Sequence, residues 1–258
     1  MRMSISVDIE YEIYADQAVL LTIEAAQTDG QRVVDSAFAV DNATLQRMSG
    51  EGGVGERVWA FAIDPQFIVR YRAMVEVDRA QVDLTSLAAD PMQALPGAVL
   101  TYLRPSRYCQ SDLFTAFVAD QFGALEGGAK VAAILDWVGA AIAYVPGSSS
   151  STTTAIDTFN LGAGVCRDFA HLVCSLARAA NIPARYVAVY GADVSPPDFH
   201  AVVQVWLAGS WHLVDATRMS CATGLVIIGS GRDAGDVAFM EAVQAVQPVS
   251  VDVRVTRV

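Results

Sequence analysis

Across residues 1–90 the hydrophobic positions alternate with polar ones. Ile5, Val7, Ile9, Tyr11 and Ile13 are separated by Ser6, Asp8, Glu10 and Glu12, the two-residue period of a strand with one buried and one wet face. Further strand-like runs cover 18–25, 32–40, 57–63 and 67–77. Turn signals stand between them at Thr28-Asp29-Gly30, from Ser49 to Gly55, and at Asp64-Pro65. Short strands joined by polar turns predict a β-sandwich over residues 1–95. This stretch has no histidine and no cysteine, and no catalytic constellation is visible in it.

The period then changes. Residues 81–100, with Pro91 and Pro96, read as a linker or crossover, and helical patterns follow at 111–122 and 128–143. Pro146-Gly147 ends the second helix. Ser148 to Thr154 is an unbroken Ser/Thr tract that reads as a solvated loop. The clearest helix places Phe169, Leu172, Val173, Leu176, Ala177 and Ala180 on one face, and Asn181 and Pro183 supply its stop signal. Beyond it, 184–190, 200–207, 211–217 and 225–228 read as strands, 233–245 as a helix and 249–255 as a final strand. The whole is an α+β chain, divided as a β-rich region 1–95 and a second region 96–258.

Composition narrows the function classes. The chain is 53% hydrophobic and 17% charged, carries a net charge of −11, and has one lysine, Lys130. With no basic surface to release counterions, nucleic acid and anionic membranes are not expected partners. The longest apolar run, 131–145, is broken by Asp136 and falls short of the roughly 20 residues of a membrane span. No signal peptide is read at the N-terminus, and the cytoplasm is the default. Four scattered cysteines without a C-x-x-C pair resemble neither a disulfide framework nor a zinc ribbon.

The chemistry gathers at Gly162-Ala163-Gly164-Val165-Cys166, where small residues lead into the periodic helix. A thiol on the first turn of a helix meets free amide N–H groups and the positive end of the dipole, which favour the nucleophilic thiolate. Such a thiol needs a base, and the base an orienting partner. Of the three histidines, His171 lies about 140° around the helix from Cys166 and cannot face it. His212 lies on the opposite strand face from Asp215. His200 opens a strand that returns through Ala208-Gly209-Ser210 into Trp211–Thr217. A two-residue loop at Ala208-Gly209 puts Asp215 opposite Val202 and diagonal to His200, about 7–8 Å away by backbone. A loop at Gly209-Ser210 keeps the shared face at a greater distance, and an unbulged three-residue loop separates them. Taken singly, His200 reads as a core histidine and Asp215 as a turn-capping carboxylate. Together with Cys166 they make a Cys–His–Asp set. Asp168 reads as a partner of the helix dipole, and Trp206 and Trp211 as core. A metal site on the same three residues has little to favour it.

Gly164-Val165-Cys166-Arg167-Asp168-Phe169-Ala170-His171, His200-Ala201 and Trp211-His212-Leu213-Val214-Asp215-Ala216-Thr217 resemble the bacterial transglutaminase-like superfamily, whose members are often described as cysteine proteases. Segments 103–109 and 228–233 are similar to pieces of the same branch. The resemblance covers 101 to about 240, and the β-rich region is similar to the domain that commonly precedes that core. It implies a papain-like core, with the Cys helix packed on an antiparallel sheet. It also implies Cys166 as nucleophile, His200 as base and then acid, and Asp215 as orienting group. No cofactor is implied, and a peptide or protein is the expected substrate. Val202 stands where the family usually has an aromatic residue, which removes a wall contact that residue would supply. Hydrolysis of an amide through a thioester is the expected reaction. Amine transfer to glutamine and a non-catalytic binding module are the alternatives. Oligomeric state is not legible.

Overall fold

The row Met3, Ile5, Val7 and Ile9 is at most 1% exposed, as its alternation requires, and forms the inner face of β1 (Arg2–Glu12). A computed structural model describes residues 1–258. After β1 come β2 (Ala18–Leu21), β3 (Gln31–Val40), β4 (Ala43–Ser49), β5 (Glu56–Ala62) and β6 (Gln66–Val77). A short α1 (Gly97–Leu100) precedes α2 (Thr115–Phe122), α3 (Gly127–Ala141), β7 (Ala143–Tyr144), α4 (Ala155–Leu161), β8 (Ala163–Gly164) and α5 (Cys166–Ala179). The chain finishes with β9 (Ala184–Gly191), β10 (His200–Leu207), β11 (Ser210–Val214), β12 (Leu225–Gly231), β13 (Met240–Ala242) and β14 (Gln247–Arg257).

Three four-stranded sheets result, in the orders β14-β1-β6-β3, β13-β2-β5-β4 and β11-β10-β9-β12, all antiparallel. The first two feed one apolar cluster, with Ile5, Ile9, Val69 and Tyr71 from one sheet and Val19, Leu21, Val58 and Ala60 from the other. Tyr190, Val226 and Ile228 of the third sheet join the same cluster. Helix α5 sits within a second cluster, alongside Val131, Ile134 and Val138 of α3 and Val203 and Val205 of β10. Asp168 to Arg178 are all buried, which leaves Cys166 and Arg167 partly open at its start. Asn181 takes φ 59° just beyond the helix, the left-handed stop that asparagine tolerates.

Several expectations need correction. Residues 233–245 are not a helix. Asp233 accepts from the Gly235 and Tyr108 amides, and Met240–Ala242 pairs with β2. Tertiary pairing overrides the local pattern there. The tail is a strand, but it pairs with β1, so residues 240–257 return to the sheets of the first region. β4 was not anticipated because its side chains are nearly all exposed at a sheet edge and carry no alternation. α4 was also missed, although Thr154 and Asp157 announce it: the Thr154 amide and hydroxyl both donate to the Asp157 carboxylate.

The third sheet is tied to the first two by Tyr190, which stacks near Tyr71 at 6.5 Å and donates its buried hydroxyl to the Ile23 carbonyl at 2.7 Å. Tyr190→Phe keeps the ring and leaves that carbonyl without its donor. Urea unfolding should show a loss of about 1–2 kcal/mol; an unchanged midpoint would mean the bond contributes nothing.

Candidate active site

The approach to Cys166 is built by close packing. A Cβ at Gly164 would come within 2.7 Å of the Asp168 Cβ, so only glycine lets the chain pass the first turn of α5. Val165 is extended and donates its N–H to Asp168 Oδ2 at 2.8 Å. Asp168 has no solvent exposure. Its carboxylate also takes the Ser149 hydroxyl at 2.5 Å and the Arg167 guanidinium at 3.1 Å. Arg167 donates onward to the Ser150 carbonyl, and the Tyr108 hydroxyl donates to the Ser151 carbonyl. The Ser/Thr tract is therefore tied to the helix start through Ser149 and Ser150, and to Tyr108 through Ser151, rather than wholly solvated.

Two further segments brace α5 from behind. Arg178, 3% exposed, donates to the carbonyls of Ala184, Arg104 and Arg232. Arg104 and Arg232 lie in the 103–109 and 228–233 segments, and Ala184 opens β9.

His200 begins β10 and is 3% exposed. Its Nε2 lies 2.9 Å from Asp215 Oδ2. Asp215 follows β11, where Leu207 pairs with Ser210 around the two-residue loop Ala208-Gly209. Both loop residues have positive φ, 49° and 76°, as a tight twisted hairpin demands. Of the registers open in the sequence, this one brings the diagonal pair within side-chain reach. Asp215 Oδ1 accepts from the Thr217 amide and hydroxyl at 2.9 and 2.7 Å, so the carboxylate caps the next turn as well as orienting the imidazole.

The Cys166 thiol is half-buried and lines the same cleft as the imidazole. Asp215 holds Nε2, and the buried Nδ1 has no hydrogen-bond partner. Burial alone lowers the basicity of His200. The hydrogen bond to Asp215 and the neighbouring Asp215 and Cys166 groups outweigh it and raise its pKa to about 9.

The other histidines are occupied elsewhere. His171 is fully buried, stacked against Tyr108 at 5.1 Å, and accepts the Ala234 N–H. Burial, reinforced by Arg167, lowers its pKa to about 3, so it is neutral. His212 bonds Ser210 and the Leu207 carbonyl at the hairpin end. Trp206 packs on Trp211, away from the thiol, and Val202 is buried beneath the sheet. No three or more His, Cys, Asp or Glu side chains are grouped as a metal ion would need.

Cys166 and His200 open on a cleft of about 580 Å³. Its walls all come from the second region, among them Arg107, Tyr108, Tyr186, Phe199 and Phe239, with Met240 and Glu241 on β13, the strand that pairs with β2. Phe199 stacks on Phe239 at 4.6 Å. Sequence reasoning missed Phe239 because its segment was read as helix. It also missed Asp198, a carboxylate of the cleft lining beside His200 that partial desolvation pushes above its ordinary range. Tyr144, which pairs with Gly164 ahead of Cys166, gave no periodic signal.

The family model described as the transglutaminase-like superfamily matches residues 116–216, a span that contains Cys166, His200 and Asp215. Over its whole length the chain is similar to a solved structure described as a "putative cysteine protease" from Cytophaga hutchinsonii. The two share 35% identity and a TM-score of 0.94, covering 99% of this chain and 90% of that one. The chain belongs to the transglutaminase-like superfamily. An uncharacterized protein of Mycobacterium leprae is 29% identical over 151 residues, 55% of this chain and 54% of that protein, so this superfamily member spans about half of that curated relative. The periplasmic domain of TgpA from Pseudomonas aeruginosa is 18% identical, covering 84% of this chain and 87% of that one, with a TM-score of 0.41.

Two measurements follow from the geometry. Iodoacetamide at pH 6 should label Cys166 first and the exposed Cys221 second, while the fully buried Cys109 and Cys174 stay protected. Equal labelling of all four would contradict the environments described. The second is the pH dependence of stability. A folded-state pKa of about 9 against 6.5 unfolded means that His200 stabilises the fold fully below pH 6.5 and loses that contribution as pH rises through 9. Urea midpoints should decline across this window, and Asp215→Asn should flatten the decline.

Proposed function

We propose that the chain is a cysteine-dependent hydrolase of peptide or amide bonds, acting on a peptide or protein. The observation that carries this reading is the buried His200–Asp215 pair at 2.9 Å with the Cys166 thiol lining the same cleft. We read the two N-terminal sheets as a β-sandwich set beside a papain-like core.

In this reading Cys166 Sγ, as thiolate, attacks the amide carbonyl carbon. The C–O π pair moves to oxygen, and the Cys166 N–H at the helix start stabilises the oxyanion. His200, held as imidazolium by Asp215, delivers its proton to the leaving nitrogen as the C–N bond breaks. A thioester remains on Cys166. Neutral His200 then takes a proton from water, whose oxygen attacks the thioester and releases the acid and the thiolate.

Hydrolysis is preferred to amine transfer because the cleft opens to solvent beside the exposed Ser151 of the Ser/Thr tract, which admits water. No residue of the chain is recognisable as a guide for an incoming amine. Incubation with a glutamine-containing peptide library and a labelled primary amine, read by product mass, should give cleavage or deamidation. Amine incorporation in excess would establish transfer instead. Cys166→Ala and His200→Ala should abolish turnover with circular dichroism unchanged. Asp215→Asn should slow it by up to roughly 10⁴-fold, and His171→Gln should cost far less than His200→Ala. Absence of any reaction, with Cys166 intact and unreactive, would favour the binding-module alternative.

A further inference from the structure

The chain holds 28 acidic against 17 basic residues, so acceptors for a guanidinium are plentiful. Every arginine but two donates to a carboxylate or to a carbonyl oxygen. The exceptions are Arg104 and Arg107, and Arg107 lines the cleft that holds Cys166 and His200. We propose that Arg107 receives a carboxylate of the substrate, so that the preferred substrate is a carboxylate-bearing peptide. The proposal deepens the reading of the chain as a hydrolase at Cys166 and rests on it.

Arg107 is steadied by an aromatic ring rather than by an ion pair. Its guanidinium carbon lies 5.1 Å from the centre of the Tyr108 ring. That ring is fixed at both ends. The Tyr108 amide donates to Asp233 at 3.1 Å, its carbonyl accepts the Ala155 N–H at 2.9 Å, and its hydroxyl donates to the Ser151 carbonyl at 2.9 Å. Fully buried His171 stacks on the same ring at 5.1 Å. A cation over an aromatic face is attracted by the ring and uses none of its N–H groups. The donors of Arg107 therefore remain free, in the planar fork that meets a carboxylate with two parallel hydrogen bonds. The same loop ties this platform to the reacting centre. Ser151 follows Ser150, whose carbonyl takes the guanidinium of Arg167, the residue after the thiol, at 2.5 Å.

The other basic groups of the lining are committed. Arg167 donates to Asp168 and to the Ser150 carbonyl, and His200 is held by Asp215. Asp198 and Glu241 line the same cleft, yet neither pairs with Arg107. The guanidinium is thus not neutralised from within, and a carboxylate must come from the ligand. Asp198 and Glu241 repel a second anion, so the cleft accepts negative charge at Arg107 and disfavours it beside them. The ligand's carboxylate has two sources, an acidic side chain of the peptide or its free C-terminus. The chemistry at Arg107 is the same for both.

Three N-acetylated peptide libraries test the proposal. The first has acidic side chains and amidated C-termini, the second neutral side chains and free C-termini, the third neutral side chains and amidated C-termini. Cleavage is read by product mass as kcat/KM. Wild type should favour the first or the second over the third by roughly tenfold, and the favoured library names the source of the carboxylate. In Arg107→Gln the preference should fall to within about twofold, and Arg107→Lys should keep part of it, because an ammonium retains the charge without the fork. No preference in wild type, a preference for the third library, or a preference that survives Arg107→Gln would overturn the proposal. Protection of Cys166 from iodoacetamide by the same libraries is read in parallel and needs no turnover. If nothing is cleaved but the carboxylate-bearing libraries protect wild type and not Arg107→Gln, the hydrolase reading fails and the carboxylate subsite stands. If nothing is cleaved and protection shows no such selectivity, the subsite is overturned as well.

Discussion

A carboxylate without solvent must be answered by donors, and Asp168 is such a carboxylate at the first turn of α5. It takes hydrogen bonds from the Val165 amide, the Ser149 hydroxyl and the Arg167 guanidinium. Leaving any one of them unmade would take a donor from a buried charge, a cost of about 1.5–3 kcal/mol. The cluster therefore fixes the extended approach through Val165, the direction in which α5 starts and the position of the loop around Ser149. The aim of Cys166 follows from these, and so does the place of its neighbours.

Everything else that meets the thiol is delivered by rigid elements. The β10–β11 hairpin closes through a two-residue loop, and that register sets Asp215 against His200. The pair is buried, so its hydrogen bond acts in a low dielectric, and the imidazolium is favoured through neutral pH. Thr217 grips the far carboxylate oxygen, which leaves Asp215 little freedom to turn away. Arg178 holds the back of α5 to three carbonyls of other segments, so the helix cannot slide along its axis.

The cleft is lined by the second region alone, but one of its strands is held in the first region's sheet. The strand that carries Met240 pairs with β2, and Phe239 stacks on Phe199 next to His200. The β-rich sheets thus hold one wall of the site although they contribute none of its Cys, His or Asp. Shared burial of Tyr71 and Tyr190 makes the sheets one continuous apolar body, which gives that wall a firm backing.

The one-dimensional pattern was enough for elements whose period is their own. The alternation of β1, the face of α5, its stop at Asn181 and the helix-start cysteine are local facts, and each survives in three dimensions because burial of one face enforces it. His200 and Asp215 could be singled out, since residue types and strand alternation narrow the partners. Their distance could not, because two hairpin loops fit the same residues. Only the positive φ at Ala208 and Gly209 in the folded chain decides between them. Tyr144 was invisible, as a two-residue parallel pairing leaves no period to read. The 233–245 segment was misread because its conformation comes from Asp233 contacts and from pairing with β2, a strand more than 200 residues earlier. The tail read correctly as a strand, but its partner was beyond reach. Pairing is a choice among open edges, and those edges exist only once the sheets have formed.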